Sequence, residues 1–494
     1  MRSLPRRALA VLFLLGLGAA SVAERPALAE TPSAAKSAAD ARSAFLQHAV
    51  DELAGWVKQH HGRLGAAVMD AASGKLLAAS GEHQALSPAS NSKLLTAAAA
   101  LSRLGPDYRY TTGLYGHLEA GAVGDLVLRG HGDPSLRTGD LWRMCRSLVE
   151  MGLPEVRGRI LVDQSRFDAE FVPPAFGQQP NEWASFRAPV SAVALDENAV
   201  TLNVMPTSTG KPARAWFDPP GFVDVSGSVG TVDTGKGQHI RLSLHAGAHQ
   251  RLRAVLGGRV ADGLPRLRFA RRVDDPRLFP GYVLAAILRS LGVKLSGTVA
   301  AGGESEHARL VFHESAPLSV LIQQLGKKSD NFYAEMILKT LGAETGKAPA
   351  HSADGAKAVR AYLEKIGALE SSTKIVNGSG LFDANRVSAS TLVHVLVAAY
   401  RDPAIGPEYV AQLSVGGVDG TLHSRFRKYR EKRMVRAKTG TLARSIALSG
   451  YVLEPSGRGA IAFSFIANGG MSHYATRRHI DSVVGQIAGG LLKK

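Results

Sequence analysis

Three short motifs hold residues whose types and spacing suit nucleophilic catalysis. They are Ser90-Asn91-Ser92-Lys93, Ser329-Asp330-Asn331 and Lys438-Thr439-Gly440-Thr441. A serine hydroxyl is a weak nucleophile until a neighbouring base removes its proton. The spacing places Ser90 and Lys93 on one face of a helical turn, at a helix N-terminus whose dipole favours negative charge. Lys93 can serve as the base because burial and nearby cations lower the pKa of a lysine.

The second and third motifs supply groups that could hold a substrate and move protons. We expect Ser329 to relay a proton between the base and a leaving group, and Asn331 to hold a substrate amide. Lys438 ends a predicted strand, where its ammonium would attract a substrate carboxylate. Gly440 would allow a substrate backbone to approach closely, since it has no side chain.

Each motif alone also fits a structural role, as a helix cap, a turn or a solvated strand end. At ordinary residue usage, about one or two S-x-x-K matches are expected by chance, and a second copy occurs at Ser371-Ser372-Thr373-Lys374. That copy follows the second motif, so it cannot begin the ordered set. The ordered triple is typical of serine acyl-transferases of the penicillin-binding and β-lactamase type. In such a site the backbone N–H groups of Ser90 and Thr441 would form an oxyanion hole.

Hydrophobic periodicity predicts the elements that must position these motifs. Helices are predicted over 37–60, 90–104, 278–291, 318–341 and 474–492. Strands are predicted over 66–70, 75–79, 434–438, 446–453 and 461–468. Ser90 therefore opens a helix that Gly105-Pro106 would end, and Lys438 closes a strand.

The chain of 494 residues has room for two or three domains. Residues 1–29 are typical of a secretory signal, with a basic start, an apolar run and small residues for cleavage. Short alternating runs between Gly, Pro and Asp clusters predict a β-rich insert over 108–275, built as two nested subdomains. The segments 36–107 and 276–494 would form the core, and the fold class is α/β (α+β).

Composition narrows the surroundings of the protein. The formal net charge is +17, but the basic residues are dispersed and lack a basic–aromatic nucleic-acid signature. We therefore expect no nucleic-acid partner and only weak attraction to anionic wall or membrane surfaces. The single cysteine, Cys145, cannot form an intrachain disulfide and is predicted to be a buried small hydrophobe. The mature protein is expected to be exported, periplasmic and soluble.

No metal or cofactor is expected from the motifs. The pair His60-His61 lacks partner ligands at metal-binding spacing, and the sequence has no H-E-x-x-H motif and no pair of cysteines. The stretch 230–236 matches most of a phosphate-binding loop, but Gly237 occupies the position that requires Ser or Thr. The residues that follow alternate like a strand and do not open a helix.

With these motifs the sequence resembles the D-alanyl-D-alanine carboxypeptidase/endopeptidase family of penicillin-binding protein 4 type, the class C low-molecular-mass penicillin-binding proteins. The long gap between Ser90 and Ser329 carries much of the resemblance, because this family fills it with inserted domains. Further similar stretches lie at 130–135, 188–192, 315–318, 378–381 and 417–422. The resemblance covers nearly all of the mature chain.

The resemblance implies a penicillin-binding transpeptidase-like core of antiparallel sheet flanked by helices, with a helical subdomain and β-rich inserted domains. It implies attack on the D-Ala-D-Ala bond of peptidoglycan stem peptides, hydrolysis of the acyl-enzyme and covalent inhibition by β-lactams. Many family members also cleave the D-alanyl cross-link. The implied catalytic and binding residues are Ser90, Lys93, Ser329, Asn331, Lys438, Thr439, Gly440 and Thr441.

The sequence departs from the family pattern at positions that concern specificity. Asn377 stands where an acidic residue is usual, and Phe382-Asp383 stands where Ser-Arg is common. That arginine helps some members to hold the carboxylate of the diamino acid side chain, so Arg386 or Arg444 would have to replace it. Asp163 resembles a family position near the substrate amino group.

Two other functions compete with a carboxypeptidase. A class A β-lactamase would need a glutamate in an E-x-x-L-N loop, and Glu364-Lys365-Ile366-Gly367 does not fit that pattern. A non-catalytic wall-binding protein would have no chemical need for all three intact motifs. The carboxypeptidase, with endopeptidase action in addition, is therefore the preferred hypothesis. The balance of the two activities, the diamino acid of the substrate and the oligomeric state are left open by the sequence.

The third motif leads to a first prediction. Lys438→Ala should chiefly weaken substrate capture, because it removes the cation expected to attract the substrate carboxylate. Steady-state hydrolysis of a D-Ala-D-Ala peptide should show a raised apparent KM. An unchanged KM in the variant would contradict this role.

Overall fold

The computed structural model describes residues 32–119, 121–178, 182–303, 308–346, 348–429, 432–455 and 459–492. The predicted secretory signal over 1–29 lies outside these residues. Among the described helices, none is both long and apolar enough to cross a membrane.

Ten α-helices are found in this part of the chain, and most lie where apolar residues recur at three- and four-residue spacing. They are α1 (Pro32–Gln59), α2 (Ser92–Leu104), α3 (Thr138–Glu150), α4 (Phe279–Ser290), α5 (Leu318–Lys327), α6 (Asn331–Thr345), α7 (Ser352–Lys365), α8 (Ala389–Arg401), α9 (Gly406–Ala411) and α10 (His473–Leu492).

The described strands number twenty-two and fall into five sheets. They are β1 (Arg63–Asp70), β2 (Leu76–Ser80), β3 (Thr111–Tyr115), β4 (Leu118–Glu119), β5 (Ala122–Val123), β6 (Leu126–Gly130), β7 (Glu155–Val156), β8 (Ile160–Asp163), β9 (Ala199–Met205), β10 (Arg214–Asp218), β11 (Val223–Gly227), β12 (Gly230–Val232), β13 (His239–Ala246), β14 (Leu252–Ala261), β15 (Leu267–Arg272), β16 (Lys294–Leu295), β17 (Val299–Ala301), β18 (Arg309–Glu314), β19 (Ser414–Val415), β20 (Val435–Leu442), β21 (Ser445–Leu453) and β22 (Ala460–Asn468).

The largest sheet has the strand order β19-β20-β21-β22-β1-β2, and all adjacent strands are antiparallel. Its middle strands β21 and β22 are buried along almost their whole length, which requires apolar residues on both faces. One face shares an apolar cluster with α1 and α10. The other face packs on α8. The expected antiparallel sheet flanked by helices is thereby confirmed.

A layer of helices surrounds α2. Residues Ser92 to Leu101 of α2 are all buried, and this helix packs against α5, α6, α7 and α8. A helix that is enclosed on all sides must have small or apolar residues around its whole circumference, as the alanine-rich run at 97–100 provides. The start of α2 is thereby held rigidly next to β20 and β21.

Strands β3 to β15 all lie within 108–275, the segment predicted to be a β-rich insert. They form parts of four sheets, with the orders β17-β8-β6-β3-β18, β16-β7-β5-β4, β10-β9-β15 and β11-β14-β12, where β13 also pairs with β14. Strands β16, β17 and β18 come from beyond 275 and complete two of these sheets. Because Arg42–Lys494 packs as one compact unit, the domain boundaries at 107/108 and 275/276 stay predictions.

The helix predicted over 318–341 is in fact two helices, α5 and α6. The break falls at Ser329, whose φ of 59° lies in the left-handed region and cannot continue an α-helix. Asp330 caps α6, because its side chain accepts a hydrogen bond from the backbone N–H of Tyr333 (3.1 Å). The helical periodicity predicted over 318–341 is confirmed on both sides of this break, and Ser329 and Asn331 stand at the start of the second helical run.

Gly440 of β20 lies against the turn that precedes α2. A Cβ added at Gly440 would stand 2.7 Å from the carbonyl oxygen of Pro88 and 3.1 Å from the Cβ of Ala89. The lack of a side chain at Gly440 is expected to admit a substrate backbone. The structure gives it a second reason, because the strand and the turn could not approach so closely with a side chain between them.

This contact predicts the effect of Gly440→Ala. Forcing a methyl group against a backbone carbonyl should lower the free energy of unfolding by about 1–3 kcal/mol, visible as a lower Tm. The matched control is Gly139→Ala in α3, where an added Cβ meets nothing within 4 Å. That change should leave stability unchanged or raise it by about 0.5–1 kcal/mol. Equal melting temperatures for the two variants would contradict the argument.

Candidate active site

Ser90 lies in a short 3₁₀ turn, Ala89–Asn91, that runs directly into α2. The turn is closed by a hydrogen bond from the Asn91 N–H to the Pro88 carbonyl (3.0 Å). Ala89 has a φ of 47°, a left-handed conformation that costs a non-glycine residue on the order of 1–3 kcal/mol. The predicted helix thus begins two residues later than expected, at Ser92, and Ser90 is held at its N-terminus.

The ammonium nitrogen of Lys93 contacts three oxygen atoms. Lys93 Nζ lies 3.1 Å from Ser90 Oγ, 2.8 Å from Asn331 Oδ1 and 2.8 Å from the carbonyl oxygen of Ser379. The last two oxygens can only accept, so they can take the two hydrogens of a neutral amine. The lone pair of that amine then faces the Ser90 hydroxyl. This geometry suits Lys93 as the acceptor of the Ser90 proton.

The surroundings of Lys93 also favour its uncharged form. The side chain is buried, with 1% of the residue exposed. Burial lowers the pKa of Lys93 from its ordinary value of 10.5 to about 7, although the negative charges of Glu335 and Asp330 partly oppose the shift. A large fraction of Lys93 is therefore neutral near pH 7, as a general base must be.

Glu335 is a buried carboxylate that the sequence analysis missed. It accepts hydrogen bonds from the backbone N–H groups of Gly378 (3.0 Å) and Ser379 (2.8 Å). These bonds hold the Ser379 carbonyl against Lys93. Burial raises the pKa of Glu335, while the two N–H donors act in the opposite direction. The sequence did carry a signal for Glu335, because it is a single acidic residue in an otherwise apolar helical stretch, one turn after Asn331.

The second and third motifs meet at Lys438. This side chain is fully buried, and its Nζ donates to Ser329 Oγ (2.7 Å) and to the carbonyl of Thr439 (2.9 Å). Burial, and then the positive charge of Lys93, hold the pKa of Lys438 well below 10.5. Because Asn331 binds Lys93 and Ser329 binds Lys438, all three motifs converge on one site.

Among the third-motif side chains, those of the two threonines have surface that solvent can reach. Thr439 is half-buried, and its Oγ1 donates to Thr421 Oγ1 (2.8 Å). Thr441 is exposed, and its Oγ1 accepts a hydrogen bond from Arg477 (3.1 Å). Direct contact between Lys438 and a substrate carboxylate stays a prediction, since the lysine has no exposed surface. The threonine hydroxyls are the groups that a carboxylate can reach first.

A loop from the β-rich insert also contributes to the site. The side-chain amide of Asn331 donates to the carbonyl oxygen of Phe186 (3.2 Å). The amide of Asn377 donates to the carbonyls of Pro174 (3.1 Å) and Leu381 (3.1 Å). A carboxylate at position 377 could not donate these last two hydrogen bonds. An amide therefore suits this position, where the family pattern has an acidic residue.

Asp163 has its own partners in the insert. It is buried at the end of β8, forms an ion pair with Arg129 and accepts a hydrogen bond from the Ser165 N–H (2.9 Å). None of the hydrogen bonds between described residues links it to the motif residues. Its expected role near a substrate amino group therefore stays a prediction.

Arg386 lies beside the site. It forms an ion pair with Asp383, with NH1 to Oδ1 at 3.1 Å. Arg386, Asp383, Phe382 and Arg444 line one cavity of about 620 Å³, together with Leu442, which follows the third motif. Both arginines considered in the sequence analysis thus reach the same space. Their role in binding a substrate carboxylate stays a prediction, because Asp383 already forms an ion pair with Arg386.

One cluster away from the motifs has the composition of a metal site. Ligand atoms of Asp168, Glu170 and His351 lie within 4.8 Å of one another. However, Lys339 Nζ donates to Asp168 Oδ1 (2.6 Å) and to the Glu170 carbonyl (2.9 Å). An ammonium ion thus already supplies the positive charge there, which suits a buried ion pair better than a metal. The expectation that no cofactor is needed stays a prediction.

Comparison with known proteins places this geometry in a family. The model of the D-Ala-D-Ala carboxypeptidase 3 (S13) family matches residues 46–488. A D-alanyl-D-alanine carboxypeptidase of Actinomadura sp. is 32% identical over 94% of this chain and 87% of that protein. D-alanyl-D-alanine carboxypeptidase DacB of Haemophilus influenzae is 26% identical over 77% of this chain and 80% of that protein.

Solved structures agree on the fold. Penicillin binding protein 4 from Haemophilus influenzae matches with a TM-score of 0.73 and 23% identity, covering 88% of this chain and 97% of that one. The same protein in complex with a β-lactam matches with a TM-score of 0.68 and 24% identity, over 88% and 97% of the two chains. The transpeptidase-like fold expected from the sequence is confirmed.

The environment of Lys93 predicts how reactivity depends on pH. Because the neutral amine is the base, the rate of acylation of Ser90 by a β-lactam should rise with pH and level off above a midpoint of about 7. Below the midpoint, the rate should fall about tenfold per pH unit. Stopped-flow acylation between about pH 5 and pH 10 measures this profile.

The control is His473→Asn, since His473 contacts the carbonyl of Ala443 close to the third motif. Removing the imidazole of His473 should leave the midpoint of the pH dependence of acylation unchanged. A rate that still rises above pH 9 would show that Lys93 keeps an ordinary pKa.

Proposed function

The chain belongs to the D-Ala-D-Ala carboxypeptidase 3 (S13) family, and on that premise we propose that it hydrolyses the terminal D-Ala-D-Ala bond of peptidoglycan stem peptides through an acyl-enzyme on Ser90. One observation carries most of the weight. Lys93 Nζ stands 3.1 Å from Ser90 Oγ, with its other contacts occupied by two carbonyl oxygens. This arrangement prepares a serine for nucleophilic attack without a histidine.

In the acylation step, neutral Lys93 takes the proton of Ser90 as Oγ bonds to the carbonyl carbon of the penultimate residue. Negative charge develops on the carbonyl oxygen, which the backbone N–H groups of Ser90 and Thr441 would stabilise. Donors placed in this way typically contribute about 3–4 kcal/mol each. The start of α2 adds its dipole at the same point.

Departure of the leaving group requires a proton on its amine nitrogen. Ser329 is suited to supply this proton, because its hydroxyl lies 2.7 Å from Lys438 Nζ. As the carbon–nitrogen bond breaks, Lys438 would replace the proton that Ser329 gives up. The proton that Lys93 took from Ser90 would in turn restore Lys438. The net transfer runs from the Ser90 hydroxyl to the leaving amine, and Lys93 becomes neutral again. It can then accept a proton from the water that hydrolyses the acyl-enzyme.

The same geometry disfavours a β-lactamase. Efficient hydrolysis of a penicilloyl-enzyme in class A lactamases uses a glutamate near the serine. That glutamate acts through a water, so its carboxylate must be free to bind one. Glu335 is engaged by the Gly378 and Ser379 N–H groups, and Glu364 lies on α7. β-Lactams should therefore form long-lived adducts and act as inhibitors.

The family and the sequence also support three finer proposals. Cleavage of D-alanyl cross-links is proposed as a second activity, because the leaving amine can belong to a second stem peptide as well as to free D-alanine. The basic start and apolar run of residues 1–29 support export to the periplasm. The net charge of +17 supports weak attraction to anionic wall or membrane surfaces.

The central test is the intact mass of the mature protein over time after mixing with benzylpenicillin. The wild type should form a long-lived one-to-one adduct and should also release D-alanine from a D-Ala-D-Ala pentapeptide. Ser90→Ala should do neither. Ser371→Ala, which alters the exposed serine of the second S-x-x-K copy, should behave like the wild type.

Other outcomes separate the competing functions. Rapid loss of the adduct with turnover of penicillin would favour a β-lactamase. Absence of both the adduct and D-alanine release in a folded wild-type protein would favour a non-catalytic wall-binding protein.

A further inference from the structure

A second large cavity is lined in part by the third motif. It has a volume of about 960 Å³, and Thr439 and Thr441 are among its lining residues. Its walls are the segment 421–429 and one face of α10, from Tyr474 to Ser482. Cavities of roughly 300–1,000 Å³ hold drug-sized ligands, so this space greatly exceeds what a single released alanine needs.

The walls of this cavity are strongly basic. The basic residues that line it are Arg425, Arg427, Lys428, Arg477 and Arg478. Asp481 is the one carboxylate among the described lining residues, and it forms an ion pair with Arg425. The other four cations have no ion pair with a described carboxylate. The cavity therefore carries an excess of positive charge, which attracts anionic ligands.

The basic wall is directly connected to the third motif. Arg477 donates a hydrogen bond to Thr441 Oγ1 (3.1 Å), and Thr421 accepts one from Thr439 Oγ1 (2.8 Å). The proposed acyl-enzyme places the acyl chain on Ser90 and the carboxylate of the leaving residue at the two threonines. Whatever extends from the leaving residue therefore continues into the basic cavity.

We propose that this cavity is a subsite for the leaving side of a cross-linked substrate, and that it binds the carboxylates of the second stem peptide. The inference rests on the proposed function, because it assumes that the leaving group departs from the third-motif side of Ser90. Stem peptides carry several free carboxylates, whereas a leaving D-alanine carries one, which the threonines already receive. Arg427 and Lys428, both exposed, then act as specificity-determining residues for the cross-link.

The test compares two substrates with one variant. Arg427→Gln combined with Lys428→Gln should lower kcat/KM for a purified cross-linked disaccharide-peptide dimer by about 3- to 10-fold, since partly exposed charge pairs contribute modestly. Hydrolysis of a monomeric pentapeptide should change by less than about twofold. Arg253→Gln combined with Arg259→Gln removes the same charge from exposed positions of β14 in the insert and should leave both rates unchanged.

A chemical change in the substrate provides the second arm. Amidating the free carboxylates of the second stem peptide in the dimer should lower kcat/KM of the wild type by about 3- to 10-fold. The Arg427/Lys428 variant should not distinguish the amidated dimer from the charged dimer, because the interacting charges are already absent. Raising the salt concentration should reduce the preference of the wild type for the charged dimer over the amidated dimer, since exposed charges are screened.

Three results would overturn the proposal. The first is an equal loss of kcat/KM for the dimer and the pentapeptide in the Arg427/Lys428 variant. The second is no loss of kcat/KM for either substrate in that variant. The third is a wild type that hydrolyses the pentapeptide but not the dimer. Failure of the proposed function itself looks different, because the wild type would then neither release D-alanine nor form an adduct with benzylpenicillin.

Discussion

The structure of the site depends on burying two lysines beside one another. Lys93 and Lys438 are both almost fully shielded from water, and burial disfavours the charged form of each. Such groups are tolerated only where each polar hydrogen has an acceptor. Asn331, Ser379 and Ser329 provide these acceptors, and they come from segments far apart in the chain. The need to satisfy two buried amines thus explains why three distant motifs must meet.

The rest of the fold holds those acceptors in place. The sheet carries Lys438 on β20, while the enclosed α2 carries Lys93, and Gly440 allows the two elements to approach closely. Glu335 does not contact Ser90, but it binds the two backbone N–H groups that present the Ser379 carbonyl. The insert adds a loop that contacts Asn331. Changes in any of these supports should act on reactivity through the orientation and protonation of Lys93.

The two cavities beside the third motif differ in the chemistry of their walls. One holds Arg386 and Arg444 with the aromatic Phe382, and Asp383 partly neutralises it. The other is basic and continues from Thr441 along α10. The proposed subsite for the leaving side of a cross-link therefore differs in charge from the cavity that holds Arg386 and Arg444.

The sequence by itself determined the three motifs, the helix behind Ser90, the strands around Lys438 and the family, because these depend on local spacing and periodicity. Only the tertiary structure decided which side-chain and backbone groups contact the residues of the motifs. The contact of Lys93 with Ser379 joins residues separated by 286 positions, and no periodic pattern encodes such a pairing. The break at Ser329, the role of Glu335 and the burial of Lys438 have the same origin. Each depends on which segments pack together, and packing is settled by the whole chain at once.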